Sequence, residues 1–385
     1  MPSHWDMARL TQAPKTYPAP DYAAESTDSG AESRFSGEGV KPIFYEGLPW
    51  KGKPTRVFAW YGIPDHKANE KVPAMVLAHG GGGTAFDEWV RIWNRRGYAA
   101  ISMDLCGTRS GGEPGGRPPH EWGGPGNGGD SVDWPTEDQW VYHAVADIVL
   151  ANSLLRSFPE IDPDRIGLTG ISWGGFLTCI ASAVDDRFQF GAPVYGCGFI
   201  GDGPWQDRWE NMGKERAGKW LSLWDPSNYL AHVCIPTFWI VGSNDFAFPL
   251  DIHSRSYNLC GGEKSLSVKV GMNHSHVHGW EPEEIYVYAD AMAKGGVAMA
   301  RFTEQGREGA NAWARYDADA PIKRAEFIHT TDTSDWKSSE WKTAQADLDA
   351  ESHIIRATIP EDCAAYFFNL VDERDLVASS VVVER

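Results

Sequence analysis

Gly170-Ile171-Ser172-Trp173-Gly174-Gly175 stands between a segment that reads as a buried strand (IGLTG) and one that reads as a helix (FLTCIASAV). A sharp strand-to-helix turn needs small residues two before and two after its serine, strains the serine backbone, and pushes the hydroxyl clear of the sheet. It also aims the free N–H groups of the helix start at the reacting atom. The short glycine-serine pattern recurs by chance, so the flanking strand and helix carry the inference. A hydroxyl is a weak nucleophile until a base takes its proton and an acid orients that base.

Both partners can be found downstream. IPTFWIVGSNDFAFP reads as a buried strand ending at Gly242, with Asp245 in the loop beyond. SLSVKVGMNHSHVHGW reads as a last strand followed directly by His274. Ser172, Asp245 and His274 thus fall just past strand C-termini, where open α/β sheets bind ligands. Asp245 has a rival role as a turn or cap aspartate. His276 and His278 compete with His274 for the part of base, His276 the more strongly; His274 is preferred because it is nearest the strand end. Acyl transfer also needs two N–H donors on the developing oxyanion. Trp173, the residue after the serine, supplies one. Gly81 or Gly82 of His79-Gly80-Gly81-Gly82-Gly83 supplies the other, because a missing side chain lets the backbone approach. That loop lacks the lysine and hydroxyl pair of a phosphate-binding loop.

The elements needed to position these groups are legible. Short apolar runs alternate with helical patterns from about residue 41, which predicts βαβ units and a mainly parallel central sheet. TEDQWVYHAVADIVLANSLLRSF is the clearest helix, with one apolar face and Thr136 as its cap. Residues 107–133 form a long Gly- and Pro-rich loop of the functional or disordered kind. From about residue 305 the pattern becomes short alternating strands without helices, which predicts a small all-β, sandwich-like domain. The expected organisation is an extended leader over 1–40, a catalytic domain over 41–304 and the β domain over 305–385.

The segments HGGGG, MDLCGTRSGG, GISWGG, GSND and MNHSHVHGW resemble the α/β-hydrolase superfamily. Within it they are similar to the dienelactone hydrolase and acetyl xylan esterase (cephalosporin C deacetylase-like) group, over about residues 45–300. The resemblance implies an α/β-hydrolase fold, serine esterase activity without a cofactor, and the triad Ser172, Asp245 and His274. Deacetylases of the group commonly show Arg-Gly-Gln-Gly after the fourth strand and Gln after the nucleophile. This chain has Cys106-Gly107-Thr108-Arg109 and Trp173, a departure that bears on acyl specificity and leaves the triad intact.

Composition narrows the partners. With 35 Lys and Arg against 53 Asp and Glu, the net charge is −18, which repels nucleic acid and anionic membranes. A neutral small-molecule or carbohydrate ester fits, and a homo-oligomer is possible. No apolar run is long enough to span a bilayer, and no signal pattern opens the sequence, which favours a cytoplasmic setting, with a secreted or periplasmic one the alternative if a signal has been removed. The six cysteines are scattered and read as buried thiols. His274, His276 and His278 on a strand would point one way and could bind zinc, but no further ligand set accompanies them, so no metal is expected. Among 18 tryptophans, Trp122, Trp134 and Trp280 sit on loops near the expected mouth and are candidate sugar or aryl platforms, as against simple packing. Glu113 and Arg117 could reach substrate from the long loop, and His276 is a further candidate substrate contact. Two other functions remain open: a serine peptidase of the prolyl oligopeptidase type, whose propeller a leader of about 40 residues cannot form, and an inert hydrolase fold that holds glycans.

Overall fold

The computed structural model describes residues 4–19, 39–111, 117–127 and 129–385. Nine strands make one sheet: β1 (Thr16–Pro18), β2 (Val40–Glu46), β3 (Arg56–Gly62), β4 (Val72–Ala78), β5 (Ala99–Met103), β6 (Ile161–Ile171), β7 (Phe190–Val194), β8 (Thr237–Gly242) and β9 (Lys264–Lys269). Their spatial order is β1-β2-β3-β5-β4-β6-β7-β8-β9. The pairs from β1 to β5 are antiparallel. Every pair from β5–β4 onward is parallel. The expected mainly parallel sheet is present. All residues of β4, β5, β7 and β8 are buried, as their unbroken apolar runs require when helices cover both faces.

The helices are α1 (Met7–Leu10), α2 (Asp87–Arg95), α3 (Trp140–Arg156), α4 (Trp173–Val184), α5 (Gln206–Met212), α6 (Lys214–Trp224), α7 (Leu250–Leu259), α8 (His276–Trp280) and α9 (Glu283–Lys294). α3 differs from its expectation in two ways. Thr136 opens a separate 3-10 turn, and Gln139 precedes the helix without a side-chain cap. The helix is also buried nearly all round, because residues 4–19 cover the side turned from the sheet. Trp5 Nε1 donates to the Tyr142 carbonyl (2.8 Å), and Ser153 Oγ donates to that of Leu10 (2.6 Å). The described part of the leader therefore packs on the body and adds β1 to the sheet edge.

The C-terminal strands are β10 (Arg301–Glu308), β11 (Asn311–Asp317), β12 (Ile322–Thr330), β13 (Lys342–Gln345), β14 (Asp347–Asp349), β15 (Ile354–Thr358), β16 (Ala365–Asp372), β17 (Val377–Ser379) and β18 (Val383–Glu384). They form two antiparallel sheets, β10-β11-β15-β14 and β13-β12-β16-β17, with β18 on β16. Ala314, Tyr316, Phe327, Ile355, Phe368 and Leu370 fill the space between them. The opposite face of β12 and β16, carrying Ile328, Ala365 and Phe367, joins the core of the larger domain. This is why all eight residues of β16 are buried. Ser379 Oγ accepts the Val268 N–H of β9 (2.7 Å), so the seam also carries hydrogen bonds.

Candidate active site

β6 runs into α4 through Ser172, which takes φ 58° and ψ −118°. A β-carbon at Gly170 would lie 2.2 Å from the Gly174 carbonyl oxygen, and one at Gly174 would lie 2.0 Å from that of Ala78. The two glycines are therefore what permit the turn. The strained serine sits where few non-glycine residues are found, at a cost of roughly 1–3 kcal/mol. Trp173 is the first residue of α4, so its N–H has no acceptor within the helix.

The loops after β8 and β9 bring up two more groups. Asp245 Oδ1 accepts the N–H groups of Ala247 (2.9 Å) and Phe248 (2.8 Å). Its Oδ2 is 2.7 Å from His274 Nδ1, and His274 Nε2 is 2.8 Å from Ser172 Oγ. The carboxylate is almost fully buried and the imidazole nearly so. Asp245 and Ser172, 29 and 102 positions before His274 in the chain, thus form one hydrogen-bonded line with it. The imidazole ring is held by Tyr195 (4.3 Å between centroids), Phe246 (5.0 Å) and Phe248 (6.3 Å). Phe246 is also 52% exposed, so the line opens onto an apolar rim.

The glycine loop after β4 approaches from the other side. A β-carbon at Gly80 would lie 3.0 Å from the Ser172 β-carbon. The Gly80 N–H donates to His276 Nε2 (3.0 Å), and the Gly83 N–H donates to the Gly80 carbonyl (3.1 Å). The N–H groups of Gly81 and Gly82 have no acceptor among the described residues. Behind the loop, His79 Nε2 accepts the Leu105 N–H (2.9 Å). Asp104 then fixes the following turn by accepting from Cys106, Thr84 and Thr108.

Several residues stand elsewhere than the sequence suggests. His274, His276 and His278 do not share a strand. His276 and His278 belong to α8, and the three rings take separate partners: Asp245 and Ser172, Gly80, and Ser275. Among the described residues no group of three or more metal-ligating side chains is assembled. His276 therefore is neither at the serine hydroxyl nor on an open substrate wall. It braces the glycine loop, and burial drives its pKa down to about 3, which keeps Nε2 free to accept. Trp280 is 5% exposed and packs on Phe86 and Trp89, so it cannot serve as a platform. Trp122 lies under the Arg56 guanidinium (4.2 Å), and Trp134 under the Lys51 ammonium (3.5 Å); neither contact involves Ser172, Asp245 or His274. Arg117 donates to the Gly83 carbonyl (3.4 Å). Glu113 lies outside the described residues. Five of the six cysteines are buried and all are free.

The aromatic rim escapes the sequence reading. Phe246 and Phe248 alternate with Ala247 directly after Asp245, and that alternation is the one signal for them. Tyr195 and Trp205 come from the strand end and excursion after β7, with no local pattern to mark them.

A model of the acetyl xylan esterase family matches residues 40–202, and one of the prolyl oligopeptidase family matches residues 122–293. Among solved structures, an acetyl xylan esterase from Paenibacillus sp. R4 superposes with a TM-score of 0.54 at 20% identity, covering 75% of this chain and 100% of that one. An acetyl xylan esterase from Thermoanaerobacterium sp. JW/SL YS485 gives 0.53 at 20% identity, covering 70% and 86%. An acylaminoacyl peptidase from Pyrococcus horikoshii gives 0.51 at 19% identity, covering 71% of this chain but 44% of that one. With its strand order, its glycine-permitted serine turn and these matches, the chain has the α/β-hydrolase fold and resembles the acetyl xylan esterase group of carboxylic ester hydrolases.

Proposed function

We propose that the protein is a serine carboxylic-ester hydrolase that works through an acyl-enzyme and removes small, acetyl-like acyl groups from a carbohydrate or similar alcohol. The observation that carries the reading is the unbroken line from Asp245 Oδ2 through the two His274 nitrogens to Ser172 Oγ. In the reaction, the Ser172 hydroxyl donates to Nε2 and loses its proton to it as Oγ attacks the ester carbonyl. The Nδ1–H donates to Asp245, which stabilises the imidazolium. The oxyanion forms between the Trp173 N–H and that of Gly81 or Gly82, each worth about 3 kcal/mol of barrier. His274 then returns its proton to the leaving alcohol. A water deprotonated by the same nitrogen cleaves the acyl-enzyme. No step calls on a cofactor.

The test is hydrolysis of short p-nitrophenyl esters by the wild-type chain and by Ser172→Ala. Release of p-nitrophenolate should fall by at least about 10⁴-fold in the variant. Equal turnover by the two proteins would remove the proposal. The prolyl oligopeptidase match favours a second reading, a serine peptidase acting through the same residues. A panel pairing ester and anilide of the same acyl group separates them: cleavage of the anilide at a comparable rate would favour the peptidase.

A further inference from the structure

The excursion between β7 and β8 carries a cation that the proposed reaction leaves unused. Arg208, on α5, holds its guanidinium carbon 5.3 Å from the ring centroid of Trp173, 5.5 Å from Trp209 and 5.6 Å from Trp220. Burial alone pulls its pKa below the ordinary arginine value. Among the described residues no carboxylate stands within ion-pair distance and no acceptor takes its N–H groups. Charges withdrawn from water are normally paired. Here, among the described residues, a half-buried guanidinium stands without one. The indoles account for the faces of the guanidinium through cation–π attraction. They leave its in-plane donors without a protein partner among the described residues and open to solvent.

The Trp173 ring links those donors to the serine turn. The Trp205 ring, next to the start of α5, is 5.6 Å from the Trp173 ring. Its Nε1 donates to the Ala247 carbonyl (3.0 Å), two residues beyond Asp245. Trp173 in turn touches the glycine loop, since a β-carbon at Gly81 would come within 2.8 Å of its Cδ1. The guanidinium and the oxyanion donors therefore share one indole as neighbour, and that indole is only partly buried.

We propose that Arg208 is a carboxylate-binding subsite, and that the substrates of this enzyme are esters carrying a second, ionised carboxyl group. A planar carboxylate can take two parallel N–H bonds from the guanidinium. Lysine offers no such fork. The inference rests on the ester-hydrolase reading. The carboxylate can belong to the acyl part, as in a dicarboxylic acid monoester, or to the alcohol part, as in an acetylated uronic acid.

The experiment compares kcat/KM for p-nitrophenyl acetate, mono-p-nitrophenyl succinate, acetylated glucose and acetylated glucuronic acid. Wild type, Arg208→Met and Arg208→Lys are assayed side by side. In Arg208→Met the anionic-to-neutral ratio should fall by about tenfold or more for one of the two pairs, chiefly through KM. The pair that responds identifies the side that carries the carboxylate. Arg208→Lys should recover only part of the loss, and added salt should shrink the wild-type preference. An unchanged ratio in both pairs would overturn the proposal, as would equal losses on neutral and anionic esters, which mark Arg208 as a prop for Trp173. A tryptophan-fluorescence titration with succinate monoamide, on Ser172→Ala with and without Arg208→Met, reads binding without turnover. Saturation that Arg208→Met abolishes supports the subsite even if no ester is cleaved; saturation it leaves intact counts against it.

Discussion

Replacing Asp245 by Asn keeps the shape of the side chain but should trap His274 in the wrong tautomer. Oδ1 of Asp245 accepts two backbone N–H groups, from Ala247 and Phe248, at 2.9 and 2.8 Å. An amide must keep its oxygen there. Turning its NH2 toward those donors would forfeit both bonds and leave them unpaired, at about 1–3 kcal/mol each. The NH2 therefore occupies the position of Oδ2, 2.7 Å from His274 Nδ1, and donates to it. Nδ1 must then accept, the ring proton moves to Nε2, and Nε2 donates to Ser172 Oγ instead of receiving its proton. A tautomer defect of this kind costs roughly 10⁴ in kcat, about 5.5 kcal/mol of barrier. The assay is kcat for p-nitrophenyl acetate beside a thermal melt. The melting temperature should stay close to wild type, because both backbone bonds survive. Asp245→Ala loses those bonds as well and should melt lower. A loss of under tenfold in Asp245→Asn, with the fold intact, would refute the assignment of His274 as base and Asp245 as its orienter.

Asn244, beside the acid, should tie the two domains together: its Nδ2 donates to the carbonyls of Ser339 (2.8 Å), Lys337 (3.2 Å) and Trp336 (3.3 Å). Asn244→Ala should cost about 1–3 kcal/mol of stability, read as a lower urea midpoint, and an unchanged midpoint would count against a structural seam. Acid should weaken the fold through His143 and His253, which burial holds at pKa values of about 4 and about 3. The unfolded chain protonates them near 6.5, so between that pH and their folded values it binds the extra protons. Their stabilisation is complete above about pH 6.5 and is lost as pH falls, by up to about 1.4 kcal/mol per pH unit for each. His253→Phe, which keeps a ring edge-on to Trp239, should flatten the dependence of unfolding free energy on pH between 4 and 6.5 by about one proton; the same slope in both proteins would refute the assignment.

The architecture of the large domain is legible because it rests on local patterns. A strand buried on both faces must be apolar throughout, and VPAMVLA and TFWIVG show this without reference to anything distant. The positions of Ser172, Asp245 and His274 follow from the same source, since each is counted from the end of such a strand. β10 is missed for the complementary reason: Arg301–Glu308 has no buried residue, and its pairing with β11 leaves no apolar imprint. The one-faced reading of α3 fails because Trp5 and Leu10, more than a hundred residues away, cover its other side.

What stays hidden is the destination of side chains within a loop. Only three residues separate His274 from His278, and sequence alone offers only proximity to the strand as a reason to choose among the histidines. The structure starts α8 at His276, with Ser275 as its cap, and that change of backbone direction sends one ring to Ser172 and the next to Gly80. Trp280 is drawn into the core by the same helix. The seat of the β domain, by contrast, has a sequence signal. AAYFFNLV is apolar at every position but one, and in an antiparallel sheet this means that both faces are covered. One face meets the partner sheet, so the other had to meet the hydrolase body. Asn244 and Trp336–Ser339 lie along that contact. The acid loop is thus held from two sides: by Asp245 accepting its own backbone N–H groups and by Asn244 gripping the appended domain. The β domain is therefore hydrogen-bonded to the residue next to the Asp245 carboxylate.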